Sequence, residues 1–119
     1  MNRLFLLVLF LFTVAGCDLF GSDPVRLRIE NASSLDFDSV SVGFTSDDVE
    51  YGAIEAGQTS GYREFDTAYR YGGVTVEAAG QRYDIVPFDF VGERPLEAGE
   101  YTFVLTVVGP DLRLEFRED

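Results

Sequence analysis

The chain has 119 residues, with 21 acidic side chains against 9 basic ones, no histidine and a single cysteine, for a formal net charge of −12. A charge of that sign repels nucleic-acid phosphates and anionic lipid headgroups, which argues against both as partners of the folded surface. One cysteine excludes an intrachain disulfide, and the length suits one small domain with a single core rather than two.

Met1-Asn2-Arg3 is followed by an unbroken apolar run from Leu4 to Phe12 and then by Thr13-Val14-Ala15-Gly16-Cys17. A charged start, an apolar stretch of about ten residues and small residues before a cut site are the parts of a secretory signal peptide. The run is too short to span a bilayer, which takes about twenty apolar residues. Val14-Ala15-Gly16-Cys17 also resembles the lipobox of bacterial lipoproteins. The resemblance implies cleavage between Gly16 and Cys17, a diacylglyceryl group on the Cys17 thiol and acylation of the new amine. It therefore implies a helical, cleaved signal peptide over residues 1–16 and a membrane anchor at Cys17. A buried or redox-active Cys17 is the alternative.

Residues 17–24 then form the lipidated cysteine and a short polar tether ending at Pro24. At about 3.5 Å per residue the stretch Asp18 to Pro24 reaches roughly 25 Å when extended. An aspartate directly after the lipidated cysteine resembles the inner-membrane retention signal of enteric bacteria, a rule that other bacterial groups do not follow.

From Val25 onward the sequence alternates with period two between turn residues, as strands do. Val25, Leu27 and Ile29 share one face, and Arg26, Arg28 and Glu30 the other. Val40, Val42 and Phe44 form the next apolar face, and Val49 to Ile54 reads as a weaker third strand. Glu55-Ala56-Gly57-Gln58 reads as a turn in which Gly57 takes the positive φ of type II. A strand through Tyr62 and Phe65, a strand through Val74, Val76 and Ala78, a turn at Ala79-Gly80-Gln81 and a strand through Tyr83 and Ile85 follow. Pro87 ends that strand or places it at an edge. Phe88 to Gly99 lacks periodicity, and Glu97-Ala98-Gly99 reads as the earlier Glu-Ala-Gly turn used again. Tyr101, Phe103, Leu105 and Val107 face one side of the strongest strand, while Val104 and Val108 make its other face apolar, as in a central strand. Gly109-Pro110-Asp111 turns the chain into a last strand through Leu112, Leu114 and Phe116.

Seven or eight short strands at this spacing predict an all-β fold, a single antiparallel β-sandwich over residues 25–119. Leu96-Glu97-Ala98-Gly99-Glu100-Tyr101-Thr102-Phe103 resembles the Leu-x-x-Gly-x-Tyr-x-Phe strand entry of immunoglobulin-like and transthyretin-like modules. The cysteine–tryptophan–cysteine hallmark of antibody domains is absent, since there is no tryptophan and no second cysteine. The lipobox, Arg26-Leu27-Arg28-Ile29-Glu30-Asn31 and Val91-Gly92-Glu93-Arg94-Pro95-Leu96 look like small uncharacterised lipoproteins of the Bacteroidetes and their relatives. That resemblance brings no activity with it.

All nine basic residues are arginine. Absence of lysine with excess carboxylate suits concentrated salt, where self-repulsion is screened within about 3 Å at 1 M. An arginine-favouring, GC-rich genome accounts for it equally well. Stability that rises from dilute buffer to molar salt would favour the first.

Catalysis is poorly supplied: with no histidine, no lysine and a lipidated cysteine, Ser33 or Ser60 has no ordinary general base. The expectation is a protein that is not an enzyme and carries no cofactor. Calcium is a better-motivated ligand, because it takes six to eight oxygens and favours carboxylates on loops. Asp36, Asp38, Asp47, Asp48 and Glu50 are the candidates, although none falls in an EF-hand pattern and a solvated acidic surface explains them too. A second candidate surface is aromatic: Tyr62, Tyr69, Tyr71 and Tyr83 lie near Arg63, Arg70 and Arg82, a pairing common at binding surfaces and also in sheet packing. A pocket lined by Tyr69, Tyr71, Asp89 and Glu93 would indicate ligand binding, since irregular loops on rigid sandwiches carry binding sites. Asn31-Ala32-Ser33 matches a glycosylation sequon that has no meaning in a bacterial lipoprotein. The expected function is a lipid-anchored cell-envelope module with no enzymatic activity, held to a bacterial membrane and contacting an envelope protein or a glycan. The alternative is a small-ligand binder, for calcium or a glycan. Neither reading involves nucleic acid, and the sequence does not fix an oligomeric state.

Overall fold

The computed structural model describes residues 24–44, 48–87 and 92–119. The signal peptide, Gly16, Cys17 and nearly all of the tether lie outside the described residues, as do Asp47 and Asp89.

Eight strands follow one another in chain order: β1 (Val25–Asn31), β2 (Ser39–Gly43), β3 (Val49–Glu50), β4 (Arg63–Phe65), β5 (Gly73–Ala78), β6 (Gln81–Ile85), β7 (Gly99–Val108) and β8 (Asp111–Glu118). There is no helix among the described residues. The strands form two four-stranded sheets, ordered β4-β1-β7-β8 and β3-β2-β5-β6. The inward faces of both meet in one core: Val25, Leu27, Ile29, Tyr101, Phe103 and Leu105 from the first sheet, and Val40, Val42, Val74, Val76, Ala78 and Tyr83 from the second. Phe37, Tyr51, Ile54 and Ala68 plug it from the connections. Each large apolar side chain removed from water in this way contributes about 1.5–3 kcal/mol.

The expected purely antiparallel pairing is corrected at one ladder. β1 and β7 run parallel, from Val25 opposite Gly99 to Asn31 opposite Leu105. Alternation reports which face a side chain takes but not which strand lies beside it. These two strands are joined through the whole second sheet rather than by a hairpin, so parallel pairing is sterically open to them. β7 is central, as its sequence predicts, with β1 on one side and β8 on the other.

The tight turns follow the local chemistry. Ala79 and Gly80 both have positive φ, 51° and 75°, as a type I′ hairpin between right-twisted strands requires. The Glu55–Gln58 turn is closed by a hydrogen bond from Gln58 N to Glu55 O at 3.0 Å, with Gly57 at φ 80°. The second Glu-Ala-Gly differs. Gly99, at φ 157°, already begins β7, and the Glu97 carbonyl instead accepts the Tyr101 hydroxyl at 2.6 Å. The expected strand over Val49 to Ile54 is shortened to Val49–Glu50, because Gly52 turns the chain at φ 77° before Ile54 pairs with Phe37. β6 stops at Ile85 and forms a sheet edge, consistent with Pro87 two residues on.

One polar side chain is built into this core. Asn31 is fully buried. Its amide nitrogen donates to Leu35 O at 2.7 Å and Ile54 O at 2.9 Å, and its carbonyl oxygen accepts from Ser33 N at 3.0 Å and Ser33 Oγ at 2.7 Å. The sequon match at Asn31 is thus a structural clamp on two connections.

Candidate functional site

The residues proposed for calcium do not converge. Asp36 accepts the Ala56 backbone N–H at 2.9 Å and so caps the Glu55 turn. Asp38, Asp48 and Glu50 are exposed, and among the described residues no three acidic side chains lie close enough to hold a metal ion. The aromatic candidates are also dispersed. Tyr83 is buried, its hydroxyl donating to Gln81 at 3.1 Å. Tyr69 packs on Phe44, with ring centres 6.1 Å apart, and Tyr71 is half-buried. Glu93 is exposed on its loop.

Tyr62 belongs to a different arrangement, on the outer face of the first sheet. The polar half of the β1 alternation places Arg26, Arg28 and Glu30 there, opposite Glu100, Thr102 and Val104 of β7. Arg26 pairs with Glu100 at 3.1 Å, and Arg117 reaches Glu30 at 3.3 Å. Asp119 is the hub: it accepts from Tyr62 Oη at 2.7 Å and from the buried Thr102 hydroxyl at 2.8 Å, and pairs with Arg28 at 3.4 Å. Arg26 and Arg28 both lie over the Tyr62 ring, at 5.1 and 4.8 Å. Desolvation opposes the Asp119 charge, but the bonds from Tyr62 and Thr102 and the Arg28 guanidinium outweigh it and hold the carboxyl below its usual range. The same carboxylate raises the Tyr62 phenol, first by its hydrogen bond. Every group in this cluster is satisfied by another, so its chemistry is that of a closed lattice.

The open site lies at the end of the sandwich where the chain enters at Pro24. Val25 sits opposite both Phe65 and Gly99 there, and Tyr101 opposite Glu118. A pocket of about 300 Å³ is lined by Arg70, Arg94, Pro95, Leu96, Glu97, Tyr101, Phe116 and Glu118. In its wall the half-buried Phe116 ring stacks on buried Tyr101, with centres 5.5 Å apart and planes at 28°. Arg70 lies 5.9 Å from the Phe116 ring centre, a cation–π contact. Burial raises the Tyr101 phenol, the Glu118 and Glu97 carboxylates push the same way, and Arg70 opposes them. A wider depression bounded by Pro24, Glu64, Phe65 and Asp66 shares the Leu96 wall.

Arg70 lies between the expected Tyr69 and Tyr71, and Arg94 follows the expected Glu93, so this pocket draws on the same loops through neighbouring side chains. The pairing of Phe116 with Phe103 and of Glu118 with Tyr101 depends on register, for which the sequence carried no signal beyond the shared apolar face.

No protein-family model matches the chain, and no curated protein matches it in sequence. Among solved structures it is similar to a protein from Eubacterium rectale determined by NMR, with a TM-score of 0.61 and 10% identity over 84% of this chain and 94% of that one. At that identity the similarity shows the fold alone.

Proposed function

We propose that the chain is an exported lipoprotein whose β-sandwich is held at a bacterial membrane by lipidated Cys17 and acts there, without enzymatic activity, as a binding or structural module. The observation that carries this reading is the order of parts: a charged start, a short apolar run, Val14-Ala15-Gly16-Cys17, and then strand β1 opening at Val25. The tether between them reaches roughly 25 Å, so the domain works close to the lipid. A chain without histidine or lysine, whose Asp119 carboxylate is tied to Arg28 and Thr102, supports the view that it binds rather than transforms. The partner is an envelope protein or a glycan.

Membrane fractionation of cells expressing Cys17→Ser tests the anchor. The variant is expected in the soluble fraction, whereas the parent partitions with membranes. Unchanged membrane partitioning of the variant overturns the lipobox reading. A small-ligand function is the second reading, and the Arg70 and Arg94 pocket favours it.

A further inference from the structure

We infer that the pocket on Tyr101 and Phe116 binds an acidic sugar: a pyranose ring carrying one carboxylate, of the uronic-acid type. The inference rests on the binding-module reading above and is independent of the anchor.

The argument starts from which arginines are spoken for. Among the described residues Arg26, Arg28, Arg82 and Arg117 are ion-paired. Arg63 lies over the Tyr51 ring. Among the described residues neither Arg70 nor Arg94 has a carboxylate within ion-pair distance, although Glu97 and Glu118 line the same pocket. Arg63 and Arg113 lack an ion pair as well, but Arg70 and Arg94 are two such guanidiniums brought to one concavity. A guanidinium presents a planar fork that matches a carboxylate with two parallel hydrogen bonds.

The rest of the lining narrows the ligand. The half-buried Phe116 ring, backed by buried Tyr101, offers an apolar wall suited to the C–H face of a sugar. Glu97 and Glu118 supply carboxylate acceptors, which suit hydroxyl donors and repel a second negative group. A cavity of about 300 Å³ is at the lower end of small-ligand sites, large enough for one ring. Cation, platform and hydroxyl acceptors together describe a hydroxylated ring with one anionic substituent. Neither an aromatic acid nor a polyphosphate uses all three. The distant acidic surface does not veto this, because at physiological ionic strength charges beyond about 8 Å are largely screened.

The test is calorimetric titration of the detergent-solubilised full chain with a trisaccharide ending in a single uronic acid, the uronic-acid monosaccharide, and the all-neutral trisaccharide of the same rings and linkage. Saturable binding of the uronide is expected, with the neutral sugar weaker by roughly tenfold or more, the loss of a charge-assisted pair. Arg70→Gln and Arg94→Gln should each weaken uronide binding by a similar factor. Both positions are exposed, so neither variant threatens the fold. Arg113→Gln, which removes the same charge from an exposed position on β8 opposite Thr106, should leave binding unchanged. Tighter binding of the trisaccharide than of the monosaccharide identifies a glycan ending in that ring as the source, and equal binding a free sugar. The inference is overturned if the uronide shows no saturation by about 10 mM, an order beyond millimolar affinity. It is equally overturned if the neutral sugar binds as well, or if Arg113→Gln weakens binding as much as Arg94→Gln. Any of these leaves the Cys17 fractionation result untouched.

Discussion

Asn31→Asp turns the buried clamp into a pH-dependent fault whose size can be worked out beforehand. The substitution keeps the shape but replaces the amide nitrogen, which donates to Leu35 O and Ile54 O at 2.7 and 2.9 Å, with an oxygen. Ionised, that oxygen would face two carbonyl oxygens inside a fully buried site, with both donated bonds lost and a charge desolvated. The folded state therefore keeps the carboxyl protonated, as an acid that donates one bond, and its folded pKa rises above the unfolded value of about 3.9. For an acid raised in the folded state, the stability is fully present below the unfolded pKa and is lost as pH rises toward the folded one. The loss accumulates at about 1.4 kcal/mol per pH unit. Near pH 4 the variant should fall short of the parent by about 1 kcal/mol, the one hydrogen bond it cannot make. If the folded pKa reaches neutrality, by about pH 7 the deficit grows by a further 4 kcal/mol or so, against a total of roughly 5–14 kcal/mol for a domain of this size. Urea unfolding of variant and parent at several pH values between those limits measures the difference directly, and common effects of the acidic surface cancel. Asn31→Ala should be destabilised by an amount that does not change with pH. A deficit in Asn31→Asp that stays flat from acid to neutral pH would show that Asn31 is not the buried donor described here.

Two further outcomes follow from backbone and burial. Ala79 holds φ 51° at the first position of the β5–β6 turn, a conformation costing an ordinary L-residue about 1 kcal/mol. Ala79→Asn makes the favoured Asn-Gly turn and should raise the melting temperature by several degrees in scanning calorimetry, whereas a lower value would rule out the type I′ geometry. Tyr51 donates its hydroxyl to Leu27 O at 2.7 Å, and burial, opposed by Arg63, pushes its phenol well above the ordinary value of 10.0. Tyr51→Phe should cost about 1 kcal/mol at neutral pH. The native phenol stays protonated, so its contribution is whole below the unfolded pKa and fades as pH climbs beyond it. Spectrophotometric titration should show one tyrosine ionising only with unfolding, absent in Tyr51→Phe, and its ionisation in the native protein would refute the burial argument.

The faces of this fold were legible in its sequence because alternation is a local property. Val25, Leu27 and Ile29 point inward and Arg26, Arg28 and Glu30 outward, as their order alone requires. Partnership was not legible, because it is set by distant residues. Nothing near Val25 announces a parallel neighbour at Gly99, and the two Glu-Ala-Gly segments look alike until Tyr101 captures the Glu97 carbonyl. Asn31 was hidden for the same reason, since a polar residue at a strand end reads as a turn until Leu35 and Ile54 are seen to close on it. The lining of the pocket was not legible either: without periodicity between Pro87 and Gly99, the sequence could not say that Arg94 lines the cavity or that Arg70 lies over Phe116.

The same surplus of carboxylate that repels polyanions gives the two arginines of the pocket their meaning. On the outer face of the first sheet, exposed pairs such as Arg26 with Glu100 contribute little each. Around Asp119, however, Tyr62, Thr102, Arg28 and Arg117 fix one another. The pocket at the Pro24 end places Arg70 and Arg94, neither in an ion pair among the described residues, beside the half-buried Phe116 ring. If Cys17 carries the anchor, the tether turns that end toward the membrane and holds it within a few nanometres of the lipid. The ligand would then be met at the envelope surface itself, where an acidic domain stands off from anionic headgroups and a single uronic-acid ring, with one charge to place, can still enter between Arg70 and Arg94.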